Sequence, residues 1–143
     1  MLEKILYQTA ATATGGRDGA ASFADSDATF ALAAPKALGG NGEGVNPEQL
    51  FAAGYAACFL SALKHVAAAQ KIDVPAEANT EVSVGLGPRS DGGFGLKVDI
   101  SVDLPGMAAE QAETLIATAH QVCPYSNATR GNLDITPRLK AVA

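Results

Sequence analysis

One uncharged stretch constrains this chain more than any other feature of its sequence. Between Leu50 and Leu63 there are 14 consecutive residues without a charge, inside a longer segment that runs from Asn46 to Ile72. This run is shorter than the roughly 20 apolar residues that cross a bilayer. The segment therefore predicts one long core helix, Asn46–Ile72, with Cys58 in the middle of its uncharged part.

The start of this helix is marked by its own residues. Asn46 has a side-chain oxygen that can cap a helix, and Gln49, three residues later, can complete a capping box. Pro47 suits the first helical position, because the N–H group that proline lacks would have no partner within the helix. The sequence therefore predicts that the helix begins here.

Length and charge narrow the class of protein. The 143 residues are the size of one domain, so we expect a single domain over residues 1–143. The net charge of −5 argues against a surface that binds nucleic acid. The first residues, MLEKILYQ, do not resemble a signal peptide, and we expect a cytoplasmic protein. In that reducing compartment, two cysteines are more consistent with catalysis, metal binding or an inert core role than with a structural disulfide.

The first third of the chain predicts strands. Lys4–Thr14 is rich in β-branched and aromatic residues, Gly15–Gly19 forms a strong turn signal, and Ala20–Ala34 predicts one or two more strands. The glycine-rich segment Pro35–Val45 predicts a surface loop that leads into the long helix.

The second half predicts a hairpin, a helix and a final strand. Thr80–Leu86 and Phe94–Leu104 alternate apolar and polar residues on either side of a turn, which predicts an antiparallel hairpin. Ala108–Val122 predicts a helix that Pro124 ends. The buried stripe of this helix would comprise Ala112, Leu115, Ile116, Ala119 and Val122. Asn132–Val142 predicts a last strand. Because Pro137 cannot donate to a ladder, the last strand should lie at an edge or carry a bulge. The order of elements predicts an α+β fold.

The pattern of cysteines and histidines leaves the chemistry open. Cys58 and Cys123 lie 65 positions apart, so they do not form a Cys-x-x-Cys redox motif. His120 and Cys123 share a helical face and could contribute to a zinc site, but Cys58 and His65 would lie ~10.5 Å apart along a helix, too far for one ion. Composition and spacing alone leave the role of the cysteines open and slightly favour inert core thiols. The histidines are expected at a helix surface or an interface.

Four segments together resemble a known family. They are GGRDG around Arg17, NPEQLFAAGYAACF from Asn46 to Phe59, GPRSDGGFGL, and HQVCPYSNATRGN from His120 to Asn132. These segments resemble the organic hydroperoxide resistance (Ohr) branch of the Ohr/OsmC family, and the similarity covers nearly the whole chain. The resemblance implies an OsmC-like α+β fold in which antiparallel sheets wrap two central helices in an intertwined homodimer.

The resemblance also implies a function and a set of site residues. The expected protein is a thiol peroxidase that reduces alkyl and lipid hydroperoxides to alcohols, with no bound cofactor or metal. Cys58 would attack the peroxide, Cys123 would resolve the product as a disulfide, and Arg17 and Glu48 would accompany them. Dihydrolipoamide or a lipoylated protein would be the reductant. Two alternatives are a non-catalytic dimer that binds an apolar ligand, with Cys58 as a core residue, and a peroxidase of the OsmC branch.

The geometry of a helix adds one expectation about the dimer. Glu48 and Cys58 are ten residues apart, which is ~15 Å along a helix axis, so one arginine could not easily contact both. We therefore predict that each site combines Arg17 and Glu48 of one subunit with Cys58 of the other. The alternative is a helix kinked near Gly54, which would shorten the separation.

Three aromatic residues of the long helix have two interpretations. Phe51, Tyr55 and Phe59 are expected to lie mainly in the core, where helical spacing would place them. Some of them could instead line a pocket for the apolar part of a peroxide.

Overall fold

Six strands and three α-helices make up the fold of this chain, whose computed structural model describes residues 1–140. In chain order they are β1 (Ala11–Thr14), β2 (Ala20–Phe23), β3 (Ser26–Ala31), α1 (Pro47–Ala69), β4 (Asn79–Pro88), β5 (Phe94–Asp103), α2 (Ala109–Val122), α3 (Pro124–Thr129) and β6 (Arg138–Leu139). A short 3₁₀ helix covers Lys36–Leu38 in the predicted loop. The α+β class is as predicted. The chain forms two compact units, the first over Met1–Leu50 and the second from Phe51 onward.

The first unit contains an antiparallel sheet in the order β1-β2-β3. The turn between β1 and β2 is as predicted, and Gly19 is required there, because a Cβ atom would lie 1.8 Å from the Thr14 carbonyl oxygen. The predicted strand Lys4–Thr14 was too long. Of that range, Ala11–Thr14 pairs with β2, and within residues 1–140 the segment before Ala10 has no strand beside it to satisfy its N–H and C=O groups.

The long helix α1 has the predicted capping box. The Asn46 side-chain oxygen accepts a hydrogen bond from the Gln49 N–H at 2.9 Å, and the Gln49 side-chain oxygen accepts one from the Asn46 N–H at 2.9 Å. The helix ends at Ala69, three residues before the predicted end. It ends there because Lys71 adopts a left-handed conformation with φ 57°, and the Ile72 N–H bonds back to the Ala67 carbonyl.

By length and composition alone, α1 could cross a membrane. Core helices of soluble proteins pass the same test. Here Tyr55, Phe59 and Leu63 are completely buried in the apolar core of the second unit. The packing therefore agrees with the prediction of a core helix.

The core of the second unit lies between the helices and one face of β5. The β4–β5 hairpin is paired along its whole length, as predicted, from Asn79 opposite Asp103 to Pro88 opposite Phe94. The residues that pack together are Tyr55, Phe59, Leu63 and Val66 of α1, Val98, Ile100 and Val102 of β5, and Ala112, Leu115, Ile116 and Ala119 of α2. The predicted stripe of α2 was wrong at Val122, which is 44% exposed, because in the last turn Cys123 packs into the core instead.

The region after α2 differs most from its prediction. Pro124 ends α2, but it also begins α3, because proline is well accommodated in the first turn of a helix. The predicted strand Asn132–Val142 is short: β6 covers Arg138–Leu139 and pairs in parallel with β5, at the edge of the sheet. Pro137 immediately before it lacks the N–H that would extend the ladder. Positions 141 and 142 of that prediction lie outside the described residues.

Candidate active site

A bidentate ion pair joins Arg17 to Glu48 within the first unit. Arg17 lies in the turn between β1 and β2, and Glu48 lies in the first turn of α1. Arg17 Nη1 donates to Glu48 Oε2 at 2.7 Å, and Nη2 donates to Oε1 at 2.7 Å. The turn is also tied to the chain after β3, since the Ala34 N–H donates to Asp18 at 3.2 Å. The guanidinium plane of Arg17 is therefore fixed in one orientation.

The pair keeps both partners charged. The Arg17 side chain is 35% exposed and that of Glu48 is 17% exposed, so water screens the pair only in part. The hydrogen bond from Arg17 is the main cause that lowers the pKa of Glu48, and the same bond raises the pKa of Arg17. The helix N-terminus also favours a negative charge at Glu48. Arg17 therefore presents a permanently charged guanidinium with some of its donors committed to Glu48.

Cys58 and Cys123 lie side by side in the second unit. Cys58 is half-buried in the middle of α1, and Cys123 is completely buried at the junction between α2 and α3. Their Sγ atoms are 3.7 Å apart, and both are free thiols. The fold thus brings together two cysteines that are 65 residues apart in sequence. A small movement would bring them to bonding distance.

The Cys58 thiol is in an environment that disfavours its charged form. Burial is the largest cause of a raised pKa of Cys58. A hydrogen bond from the backbone of Tyr125 lowers the pKa, and contact with the Cys123 thiol raises it further. Within the second unit, the apolar surroundings therefore keep Cys58 mainly as a neutral thiol.

Aromatic rings surround the α1 segment that carries Cys58. Phe51, Tyr55 and Tyr125 form a cluster with ring centroids 5.6–6.4 Å apart. Gly54 permits this contact, because a Cβ atom at that position would lie 3.1 Å from the Tyr125 hydroxyl. Tyr55 and Phe59 are completely buried, as expected for core residues. Tyr125 is 40% exposed, and Phe51 is half-buried.

Sequence reasoning missed a polar network beside the two thiols. Ser126 is completely buried, and its Oγ lies 2.8 Å from the Tyr55 hydroxyl and 2.8 Å from His120 Nδ1. The histidines were predicted at a helix surface or an interface; His65 is exposed on α1, as predicted, and His120 is half-buried in the last turn of α2. Burial, followed by the charge of Arg130, lowers the pKa of His120. Because α3 was not predicted, nothing in the sequence indicated that Ser126 would point into the core.

Over residues 1–140, no three side chains of His, Cys, Asp or Glu approach one another as a metal-binding group. His120 Nδ1 is instead hydrogen-bonded to Ser126.

Comparison with known proteins defines the family. A sequence profile for the family described as OsmC-like protein matches residues 40–138. The chain belongs to the OsmC-like family.

Individual relatives of this OsmC-like chain cover nearly all of it. It is 54% identical to the organic hydroperoxide resistance protein of Xanthomonas axonopodis pv. citri (strain 306), over 94% of each chain. The crystal structure of an organic hydroperoxide resistance protein from Elizabethkingia anophelis, with thiocyanate bound, has a TM-score of 0.90 and 47% identity, covering 97% of this chain and 99% of that one. OhrB of Bacillus subtilis has a TM-score of 0.84 and 44% identity, covering 95% and 100%. These structures share its α+β fold. The roles of Arg17, Glu48, Cys58 and Cys123 stay predictions.

The charge pair generates a prediction about stability and pH. We expect Glu48→Gln to lower the melting temperature at pH 7 by roughly 1–3 °C, the scale for a partly exposed ion pair. Because the folded state lowers the pKa of Glu48, this stabilisation is present above the unfolded value of about 4.3 and is lost as the pH falls through the folded value. The difference between variant and wild type should therefore narrow below about pH 4 in thermal melts. Glu43→Gln, which removes an exposed carboxylate from the same unit, is the control. A difference that stays constant down to pH 3 would contradict the assignment.

Proposed function

We propose that this OsmC-like protein acts in organic hydroperoxide resistance, as a cysteine-based peroxidase that reduces organic hydroperoxides to alcohols. The observation that carries the proposal is the 3.7 Å approach of the half-buried Cys58 to the buried Cys123 in apolar surroundings. Relatives that cover nearly the whole chain are named organic hydroperoxide resistance proteins, which supports the choice of substrate class.

The first proposed step takes place at Cys58. Its thiolate attacks one peroxide oxygen, the O–O bond breaks, and the other oxygen leaves as an alkoxide that takes up a proton to become the alcohol. The sulfur loses two electrons and becomes a sulfenic acid. Cys123 then attacks this sulfur, so that a disulfide forms and water leaves. Cys58 is half-buried, which leaves part of it open to an incoming peroxide.

The first step requires a positive charge near Cys58. Because burial raises the pKa of Cys58, little of it would be thiolate at neutral pH without a compensating cation. We assign this role to Arg17, since a guanidinium within ~4–6 Å of a thiol favours the thiolate. Its free donors can also stabilise the negative charge on the leaving oxygen. Glu48 holds the guanidinium plane through its two hydrogen bonds.

We propose that each site is shared between two subunits of a homodimer. Residues Pro47–Ala69, Gly54 among them, are all helical. Ten residues of a regular helix span ~15 Å along its axis, so one arginine could not easily contact both Glu48 and Cys58. The first unit also exposes a run of large apolar side chains before β1, namely Leu2, Ile5, Leu6 and Tyr7. Such exposure is typical of surfaces that a partner chain covers.

The disulfide must be reduced to complete the cycle. We propose that dihydrolipoamide or a lipoylated protein supplies two electrons and two protons by thiol–disulfide exchange, with no cofactor or metal bound in the protein. We place this cycle in the cytoplasm, where a cysteine pair is kept reduced between turnovers.

Intact-mass analysis tests the proposed chemistry. After one equivalent of cumene hydroperoxide, we expect the reduced chain to lose two hydrogens as the Cys58–Cys123 disulfide forms. Cys58→Ser should abolish this change, and Cys123→Ser should accumulate a chain with added oxygen on Cys58 instead. An unchanged mass in the wild-type chain would contradict the peroxidase and favour a binding module with Cys58 as a core residue.

A complementation experiment tests the shared site. Heterodimers that combine a Cys58→Ser chain with an Arg17→Ala chain, isolated through two affinity tags, should recover one complete site in each dimer. The recovery follows because the intact Cys58 of one chain would face the intact Arg17 of the other. Homodimers of each variant are the controls. Heterodimers no more active than the Arg17→Ala homodimer would show that each site is built within one chain.

The aromatic surroundings generate a prediction about substrate. Phe51 and Tyr125 remain partly accessible and offer apolar surface beside Cys58. Bulky alkyl hydroperoxides can bury their carbon groups there, whereas hydrogen peroxide has no apolar part. We expect kcat/KM to be at least about tenfold higher for cumene hydroperoxide than for hydrogen peroxide. Equal values for the two peroxides would contradict this assignment.

A further inference from the structure

The buried network of Tyr55, Ser126 and His120 has no part in the peroxide chemistry described above. It lies directly beside the two thiols and joins all three helices of the second unit. We propose that Ser126 and His120 are positioning residues that hold Cys123 within reach of Cys58. This inference rests on the proposed function, since it concerns the step in which Cys123 forms the disulfide.

The network spans the point where the chain changes direction. Cys123 lies between His120 and Ser126 in sequence, and its backbone is extended, with φ −63° and ψ 124°, where α2 ends and α3 begins. The hydrogen bond between His120 Nδ1 and Ser126 Oγ joins the end of α2 to the start of α3. A second contact supports it, since Arg130 Nη2 donates to the His120 carbonyl at 2.6 Å. The angle between α2 and α3, and with it the position of Cys123, therefore depends on these bonds.

The Ser126 hydroxyl also connects the α2–α3 junction to α1, the helix that carries Cys58. Tyr55 precedes Cys58 by three residues, which is less than one turn of α1. Its hydroxyl lies 2.8 Å from Ser126, three residues after Cys123. The hydrogen bond between Tyr55 and Ser126 therefore links α1 near Cys58 to α3 near Cys123.

Because two of its residues are buried, this network depends on its hydrogen bonds within the protein. Tyr55 and Ser126 are completely buried, so a group that loses its partner cannot turn to water. The Ser126 hydroxyl has one proton to donate and lone pairs with which to accept, so it can pair with the Tyr55 hydroxyl and with His120 Nδ1 at the same time. Removing the Ser126 hydroxyl would take this partner from His120 Nδ1 and would leave the Tyr55 hydroxyl with only a longer contact of 3.4 Å to Thr129 Oγ1.

Positioning matters because a disulfide competes with over-oxidation. The two Sγ atoms must approach from 3.7 Å to about 2.05 Å for the bond to form. If Cys123 is displaced, the sulfenic acid on Cys58 persists and a second peroxide can oxidise it to the sulfinic acid. The network should therefore affect whether the Cys58 sulfenic acid forms the disulfide or is oxidised further, although it does not contact the peroxide.

A redox equilibrium tests the inference without any peroxide. The reduced protein is equilibrated with mixtures of oxidised and reduced dithiothreitol, so that its two thiols give two electrons and two protons to the oxidised reagent. Acid quenching, alkylation and mass analysis then give the effective concentration of Cys123 at Cys58. We expect Ser126→Ala and His120→Leu to lower it by about two- to tenfold, the scale of one buried hydrogen bond. His120→Asn, whose amide can place a polar atom near the position of Nδ1, should recover most of the loss.

Matched variants keep the test decisive. Thr114→Ala removes an exposed hydroxyl of α2 that bonds to the Glu110 carbonyl of the same helix, and it should leave the effective concentration unchanged. Tyr55→Phe keeps the ring and removes the hydroxyl, and it supplies a second measurement if Ser126→Ala does not fold. Under repeated hydroperoxide addition, Ser126→Ala should also accumulate more sulfinic acid on Cys58 than the wild type.

The outcomes separate this inference from the proposed function. An effective concentration unchanged in Ser126→Ala or Tyr55→Phe, or a loss that His120→Asn fails to recover, would overturn the positioning role. A wild-type chain that forms the disulfide with dithiothreitol but leaves cumene hydroperoxide intact would contradict the peroxidase alone. In that case, a lowered value in Ser126→Ala still supports the positioning role.

Discussion

The packing of α1 against the α2–α3 junction is the contact on which the proposed chemistry depends. It buries Tyr55, Phe59 and Cys123 completely and brings the sulfur of Cys123 to 3.7 Å from that of Cys58. An apolar seam of this kind excludes water, which protects a reactive sulfur but also disfavours its thiolate. The proposed chemistry consequently needs a positive charge to stabilise the thiolate and hydrogen bonds that hold the α2–α3 junction in place.

We assign those two needs to different kinds of interaction. Arg17 and Glu48 form a bidentate ion pair at a partly exposed position, where a charged group keeps much of its hydration. Ser126 and His120 form a neutral hydrogen-bonded network in the interior, where an unpaired charge would be far more costly. The distribution of polar groups therefore follows the cost of burying them. It also separates activation of the nucleophile, which we assign to the ion pair, from alignment of the second thiol.

Elements whose signals are local could be predicted well from the sequence. The capping box of Asn46 and Gln49 confirms the start of α1, because its hydrogen bonds join residues three apart. The β4–β5 hairpin is equally local, since its turn and its alternating pattern adjoin each other. The first and last strands were predicted too long, because the extent of a strand depends on a neighbour that the strand's own residues do not reveal. Helix α3 was missed because Pro124 ends one helix and begins another.

The sequence by itself determined the α+β class, the helix that carries Cys58, the segments that identify the family, and the residues proposed for catalysis. It could do so because periodicity, capping and turn chemistry act between residues that are close along the chain. The tertiary structure alone decided that Cys58 and Cys123 lie at 3.7 Å, that Arg17 meets Glu48 through two bonds, and that Ser126 is buried. These contacts join residues 31 to 71 positions apart, and only the packing of whole elements brings such residues together.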